Sequence, residues 1–292
     1  MPELPEVETV RRGLGAVLVG KRFARVETRR ADLRHPFPDR FVERLTGQRI
    51  EALTRRAKYL LAALEGGETL VMHLGMSGSF RVERDAETLA QALHFERSKS
   101  PAHDHVVFAL DSGARVVYND PRRFGSMILA PTRGLAEHPL FRDLGVEPLS
   151  EQFDARKLAA LFAGARAPVK SALLDQRRIA GLGNIYVCEA LHRARLSPLG
   201  EAGRLVDRKG APTPAAEALV KAIRDVLEEA IAAGGSTLRD HRRTDGALGA
   251  FQHVFAVYDR EGAPCPRPRC RGTIARIAQN GRSTFYCPAC QK

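Results

Sequence analysis

Residues 1–10, MPELPEVETV, begin a stripe whose apolar members Val7, Val10, Leu14, Val17 and Leu18 recur at three- and four-residue spacing. That period predicts a helix with one buried face. Downstream the period changes. The runs RFARVET, RIEAL, KYLLAAL, TLVMHL, SGSFRVE, HVVFAL, RVVY and GSMILA are β-rich, and turn residues such as Glu65-Gly66-Gly67-Glu68 and Asp111-Ser112-Gly113 separate them. A helix followed by eight such runs predicts an α+β fold: an N-terminal antiparallel β-sandwich or flattened barrel with the first helix packed on it. Residues 84–102 break the rhythm with a polar insertion that could hold a short helix.

The same opening places chemistry at the helix mouth. An initiator Met before a residue as small as Pro2 is expected to be trimmed, leaving Pro2 with a free secondary amine. The unpaired N–H groups of a first turn and the helix dipole favour the neutral form of a nearby amine. A neutral amine is a nucleophile that can form an iminium, with Glu3 and Glu6 placed to move protons or steady the developing cation. Pro and Glu are also ordinary helix-start residues, so the stretch needs support from the rest of the chain.

The chain has 292 residues, enough for about two domains with real cores and a small appendage. No run approaches the ~18 apolar residues of a membrane span, and the acidic start is unlike a signal peptide, so a cytoplasmic protein is expected. A formal charge of +12 points to a polyanionic partner, because Lys and Arg displace condensed counterions from phosphates. Half of that excess lies in residues 265–292, where Arg267, Arg269, Arg271, Arg276, Arg282 and Lys292 meet no Asp or Glu.

The tail also carries Cys265-x4-Cys270-x16-Cys287-x2-Cys290. Two close pairs joined by a hairpin-length segment suit one closed, tetrahedral structural Zn2+; a pair of disulfides is the alternative, disfavoured in a cytosolic chain. Cys188 lies in a helix-forming run and reads as a small core residue.

A Gly- and Pro-rich stretch, 134–154, separates the β half from a helical one built of ARKLAALFAG, PVKSALLDQ, NIYVCEALHRARL and PAAEALVKAIRDVLEEAIAAGG. The last run has Thr213 as N-cap, Pro214 at N1 and Gly234-Gly235 as its stop. The expected division is 1–133 sandwich, 134–154 linker, 155–250 helical domain and 251–292 cysteine-bearing tail. In the sandwich, Lys58 precedes a strand, His73 and Met76 flank Gly75, and Arg122, Arg123 and Phe124 share a turn. Taken singly these read as solvated charges and core residues. Together they offer cations for phosphates and apolar wedges for the gap left by an extruded nucleotide.

MPELPEVET, RRAKYL, HLGMSGS, HDHV, DPRRFG, GLGNIYVCEAL, GGSTLRD, VYDREG and GRSTFYCPACQK, in that order, resemble the bacterial formamidopyrimidine-DNA glycosylases over almost the whole chain. The resemblance implies a sandwich, a helix-two-turn-helix domain and a zinc β-hairpin. It implies excision of oxidised purines such as 8-oxoguanine and formamidopyrimidines from damaged double-stranded DNA, followed by abasic-site lyase cleavage of the strand by β,δ-elimination. Pro2 is then the Schiff-base nucleophile, Glu3 the proton donor, Glu6 an electrostatic support, and Lys58 and Arg282 orient phosphates. Met76, Arg122 and Phe124 fill the vacated stack, with His73 and His103 contacting DNA or ordering its loops. Asn184 at the GLGN turn, Lys170 and Arg166 grip the backbone, and Arg239 in STLRDHRRTDGALGAF contacts the flipped base. The Cys265–Cys270 spacing is wider than the x2 common in the family. No nucleotide cofactor and no membrane partner are implied, and the chain is expected to act as a monomer associated with the nucleoid. Two other readings remain open here: an endonuclease VIII-like enzyme for oxidised pyrimidines, and a non-catalytic zinc DNA-binding protein.

Overall fold

The structure, a computed structural model, describes residues 2–83, 100–236, 244 and 249–292. The chain divides into two compact units, Met1–Arg142 with Ala233–Ala250, and Asp143–Ala232 with Phe251–Lys292. This differs from the four-part division read off the sequence. Described residues between 233 and 250 group with the sandwich, and the zinc tail groups with the helices, because hydrogen bonds distant in sequence outweigh chain order.

In the first unit, helix α1 spans Leu4–Leu18 and buries Leu4, Val7, Val10, Leu14, Val17 and Leu18. All eight β-rich runs form strands: β1 Phe23–Thr28, β2 Ile50–Arg56, β3 Tyr59–Leu64, β4 Glu68–His73, β5 Ser79–Glu83, β6 Asp104–Leu110, β7 Arg115–Asn119 and β8 Ser126–Pro131. They make two four-stranded antiparallel sheets, ordered β1-β6-β7-β5 and β2-β3-β4-β8. Alternation decides which face each strand buries: in β3, Leu60, Ala62 and Leu64 are buried while Tyr59, Leu61 and Ala63 are half-buried. The α1 stripe joins Phe23, Ile50, Leu60, Leu70, Phe108 and Tyr118 in one core. Each such buried side chain contributes about 1.5–3 kcal/mol. A short helix α2, Phe41–Leu45, follows Arg40 in the left-handed conformation. It is too brief for a helical period to show in the sequence.

In the second unit the helices are α3 Ala155–Phe162, α4 Val169–Leu174, α5 Asn184–Arg193 and α6 Pro214–Ala232. Asp154 caps α3 through the Lys157 N–H at 2.7 Å, and Thr213 accepts the Ala216 N–H at the start of α6. A two-stranded hairpin, β9 Ala275–Gln279 and β10 Arg282–Tyr286, turns at Asn280-Gly281, both at positive φ (50° and 71°). Asn-Gly suits that turn because both residues tolerate left-handed backbone. Among the described residues no helix is long and apolar enough to cross a membrane.

Candidate active site and nucleic-acid interface

In the first unit the helix begins slightly later than the sequence suggests. Glu3 is the N-cap, Leu4 the first helical residue, and Pro5 rather than Pro2 sits in the first turn. Pro2 is buried immediately before the cap. Glu6 and Glu3 form a reciprocal capping box, in which Glu6 Oε2 accepts the Glu3 N–H at 2.9 Å. That N–H belongs to the Pro2–Glu3 peptide, so Glu6 fixes the orientation of the group carrying the Pro2 nitrogen. Its other oxygen, Oε1, accepts the Ser236 N–H at 2.8 Å and the Ser236 hydroxyl at 3.0 Å. One buried carboxylate thus joins the chain start to the segment after α6. Sequence spacing carries no signal for a contact between residues this far apart.

Lys58 follows Ala57, at φ 52°, in the two-residue connection between β2 and β3, and is nearly buried. Its charge, with that of Arg34, acts on His73, whose pKa burial above all pushes down to about 4. His73 is therefore a neutral ring near pH 7. Its Nδ1 accepts the Gly75 N–H at 3.1 Å and its ring lies 4.9 Å from that of Tyr59. Through Gly75 the ring contacts the loop that follows β4. His103 sits at the end of a 3₁₀ turn, Pro101–His103, and its carbonyl accepts the Asp120 N–H at 3.0 Å.

Met76 and Phe124 are 39% and 42% exposed, an unfavourable place for large apolar groups in a free protein. Arg122 lies over the Phe124 ring, 4.8 Å from its centroid. These three expected stack-filling residues protrude from turns of the same unit.

In the second unit, Lys170 and Asn184 turn inward. Lys170, 1% exposed, donates from Nζ to Thr284 Oγ1 at 2.6 Å and to the Ser283 carbonyl at 3.2 Å. Asn184 Nδ2 donates to the same carbonyl at 2.9 Å. Both hold the start of β10, which carries the exposed Arg282. A pocket of about 260 Å³ brings Lys170, Ser171, Asp175, Gln279, Asn280 and Arg282 together. Arg166 is exposed in the connection between α3 and α4. Arg239 lies outside the described residues.

The four tail thiols converge. Cys265 and Cys290 Sγ are 3.8 Å apart, Cys270 and Cys287 3.7 Å, and all four lie within 4.8 Å of one another. Zn–S bonds of about 2.3 Å in a tetrahedron put sulfurs about 3.8 Å apart, so the set fits zinc. A disulfide needs sulfurs at about 2.05 Å. The ion's contribution is structural, closing a segment with little core of its own. Cys188 packs beside this cluster without joining the four. The two extra residues of the wide knuckle have a use: Arg267 reaches from between Cys265 and Cys270 to donate to the His192 carbonyl at 2.5 Å, at the C-terminal end of α5. A residue not singled out in the sequence, Glu189 on α5, accepts the N–H groups of Ala256, Val257 and Tyr258 at 2.8–3.0 Å and anchors the chain entering the zinc module. The Glu-after-Cys position in NIYVCEAL gave no hint of it, since a Glu there fits a solvated helix face equally well.

Residues 1–127 match the family model for the formamidopyrimidine-DNA glycosylase N-terminal domain, 144–242 that for its H2TH domain, and 262–292 a zinc finger found in FPG and IleRS. The chain is 63% identical over 292 residues to the formamidopyrimidine-DNA glycosylase of Methylocella silvestris, covering all of both chains. The crystal structure of MutM (Fpg) from Thermus thermophilus matches with TM-score 0.81 and 41% identity over 99% of this chain and 98% of that one. Lactococcus lactis Fpg, solved in complex with DNA containing an abasic site, matches with TM-score 0.83 and 31% identity over the whole of both. With three family models in order along the chain and full-length relatives at this identity, the chain belongs to the formamidopyrimidine-DNA glycosylase family.

Proposed function

We propose that this chain excises oxidised purines from duplex DNA and then cleaves the strand at the resulting abasic site. The observation that carries the reading is the Glu6 carboxylate, which holds the Pro2–Glu3 peptide from one oxygen and Ser236 from the other. Besides capping the helix, this arrangement holds the backbone next to the Pro2 nitrogen in one orientation, as a positioned nucleophile requires.

Once Met1 is removed, the Pro2 nitrogen attacks C1′ of the damaged nucleotide, the base departs with the glycosidic electrons, and the proton shed by the amine is taken up by the departing base. Glu3 delivers a proton as the sugar ring opens, leaving an iminium between Pro2 and the sugar. Loss of a C2′ proton expels the 3′ phosphate, and a second elimination expels the 5′ phosphate. Lys58 and Arg282 bind the flanking phosphates through these steps, with Arg166 exposed for a further contact. Lys170 and Asn184 act on DNA through the hairpin, holding β10 so that Arg282 and the pocket beside it meet the backbone. Met76, Arg122 and Phe124 occupy the gap in the stack, and Arg239 contacts the extruded base. The protein works as a monomer in the cytoplasm, held to the nucleoid by its positive charge.

Side-by-side single-turnover assays test the lesion class. Excision of 8-oxoguanine opposite cytosine, and of formamidopyrimidine lesions, should exceed that of thymine glycol and dihydrouracil. Preference for the oxidised pyrimidines would move the protein to the endonuclease VIII-like class.

A further inference from the structure

Asp120 is fully buried, with no exposed surface, and no catalytic or DNA-contacting part falls to it in the reading above. A buried carboxylate is costly unless its oxygens are satisfied. Here each oxygen is used to tie loops together. One oxygen, Oδ1, accepts the Ser77 hydroxyl, and that hydroxyl in turn accepts the Arg122 N–H at 3.2 Å. The other, Oδ2, accepts the Gly125 N–H at 2.8 Å and the Tyr118 hydroxyl at 3.1 Å. Burial, together with the adjacent Asp120, holds the Tyr118 pKa well above its ordinary value, so the phenol remains a donor. The Asp120 backbone completes the junction: its N–H donates to the His103 carbonyl at 3.0 Å, and its carbonyl accepts from His105 Nε2 at 2.9 Å.

The loops so joined are the ones bearing the protruding residues. Ser77 adjoins Met76, while Arg122 and Gly125 bracket the turn that presents Phe124. Their backbones also touch directly. A Cβ on Gly75, which has φ +63°, would come 2.3 Å from the Phe124 carbonyl carbon and 2.4 Å from the Gly125 nitrogen. A Cβ on Gly125 would come 1.8 Å from the Tyr118 hydroxyl. The two loops are thus tied through Asp120 and packed backbone against backbone.

We propose that Asp120 is a positioning residue that locks the Met76 turn and the Arg122–Phe124 turn into one preformed wedge, so that the three side chains enter the duplex as a unit. The proposal rests on the wedge role assigned to Met76, Arg122 and Phe124 above. A preformed wedge bears its ordering cost during folding, so less is lost when the base stack opens. Its effect falls on extrusion of an intact lesion, not on chemistry at a site that already lacks its base.

The test uses full-length zinc-loaded protein, with single-turnover excision of 8-oxoguanine and nicking of a preformed abasic site measured in the same duplex sequence. Asp120→Asn should slow excision about tenfold or more while abasic-site nicking stays within about twofold. Combined with Met76→Ala, Arg122→Ala and Phe124→Ala, the same substitution should slow excision no further, because it acts through side chains already removed. Ser77→Ala, which breaks the Asp120–Arg122 relay and leaves the carboxylate its other donors, should show the same selective pattern if Asp120→Asn fails to fold. An equal loss of both activities, an additional loss in the wedge-deleted background, or full excision by Asp120→Asn and Ser77→Ala would each overturn the proposal. Wild-type excision by Met76→Ala/Arg122→Ala/Phe124→Ala itself would instead overturn the wedge reading beneath it.

Discussion

His73 shows how a residue's role follows from its surroundings. A histidine in so basic a chain invites reading as a cation, yet burial and the nearby charges of Lys58 and Arg34 bring its pKa to about 4. Above its ordinary pKa of 6.5 the ring is neutral in both the folded and the unfolded chain. Between pH 6.5 and about 4 only the unfolded chain takes up the proton, so stability falls as pH drops through that window and levels off below it. The loss from this group is on the order of 3 kcal/mol. His73→Asn, which can still accept from the Gly75 N–H, should flatten that part of the stability-against-pH curve by about one proton, as read from urea midpoints at about pH 7, 6, 5 and 4. An unchanged slope would mean that the ring is charged in the folded state.

At the scale of elements, the zinc module is fastened by more than its ion. Arg267 donates to the end of α5, Glu189 takes three N–H groups from residues 256–258, and Lys170 and Asn184 hold the start of β10. Cys270→Ser should lose zinc and weaken DNA binding, whereas Cys188→Ser should retain one zinc per chain, with metal analysis and DNA titration of the purified proteins as the readouts. Arg267→Ala should keep the zinc but lower stability by about 1–2 kcal/mol in thermal melts, the value of a charge-assisted hydrogen bond at a helix end. Elements of this unit with strong local signals were legible in the sequence: Thr213-Pro214 opening α6, and four cysteines at zinc spacing. In the first unit, β-rich runs separated by turn residues marked all eight strands. The inward turn of Lys170, the hub at Asp120 and the link from Glu6 to Ser236 were not legible. Each depends on partners brought together by the fold, and a buried Lys, Asp or Glu looks in sequence like a solvated one.

At the scale of the whole molecule, the charge of +12 gives affinity for DNA without sequence preference, and in the proposed reaction the chemistry is directed by a few residues at one helix mouth. Binding to undamaged duplex should weaken steeply with salt, and Arg282→Ala should reduce the slope of log affinity against log salt by about one, the share of a single phosphate contact. An unchanged slope would remove Arg282 from the backbone contacts. The most direct test of the account concerns Pro2. Protein with Met1 removed, incubated with 8-oxoguanine duplex and borohydride, should form a covalent adduct that peptide mass spectrometry maps to Pro2, and an uncleaved N-terminal extension should abolish it. An adduct on another residue, or one that persists when the Pro2 nitrogen is held in an amide, would contradict the assignment.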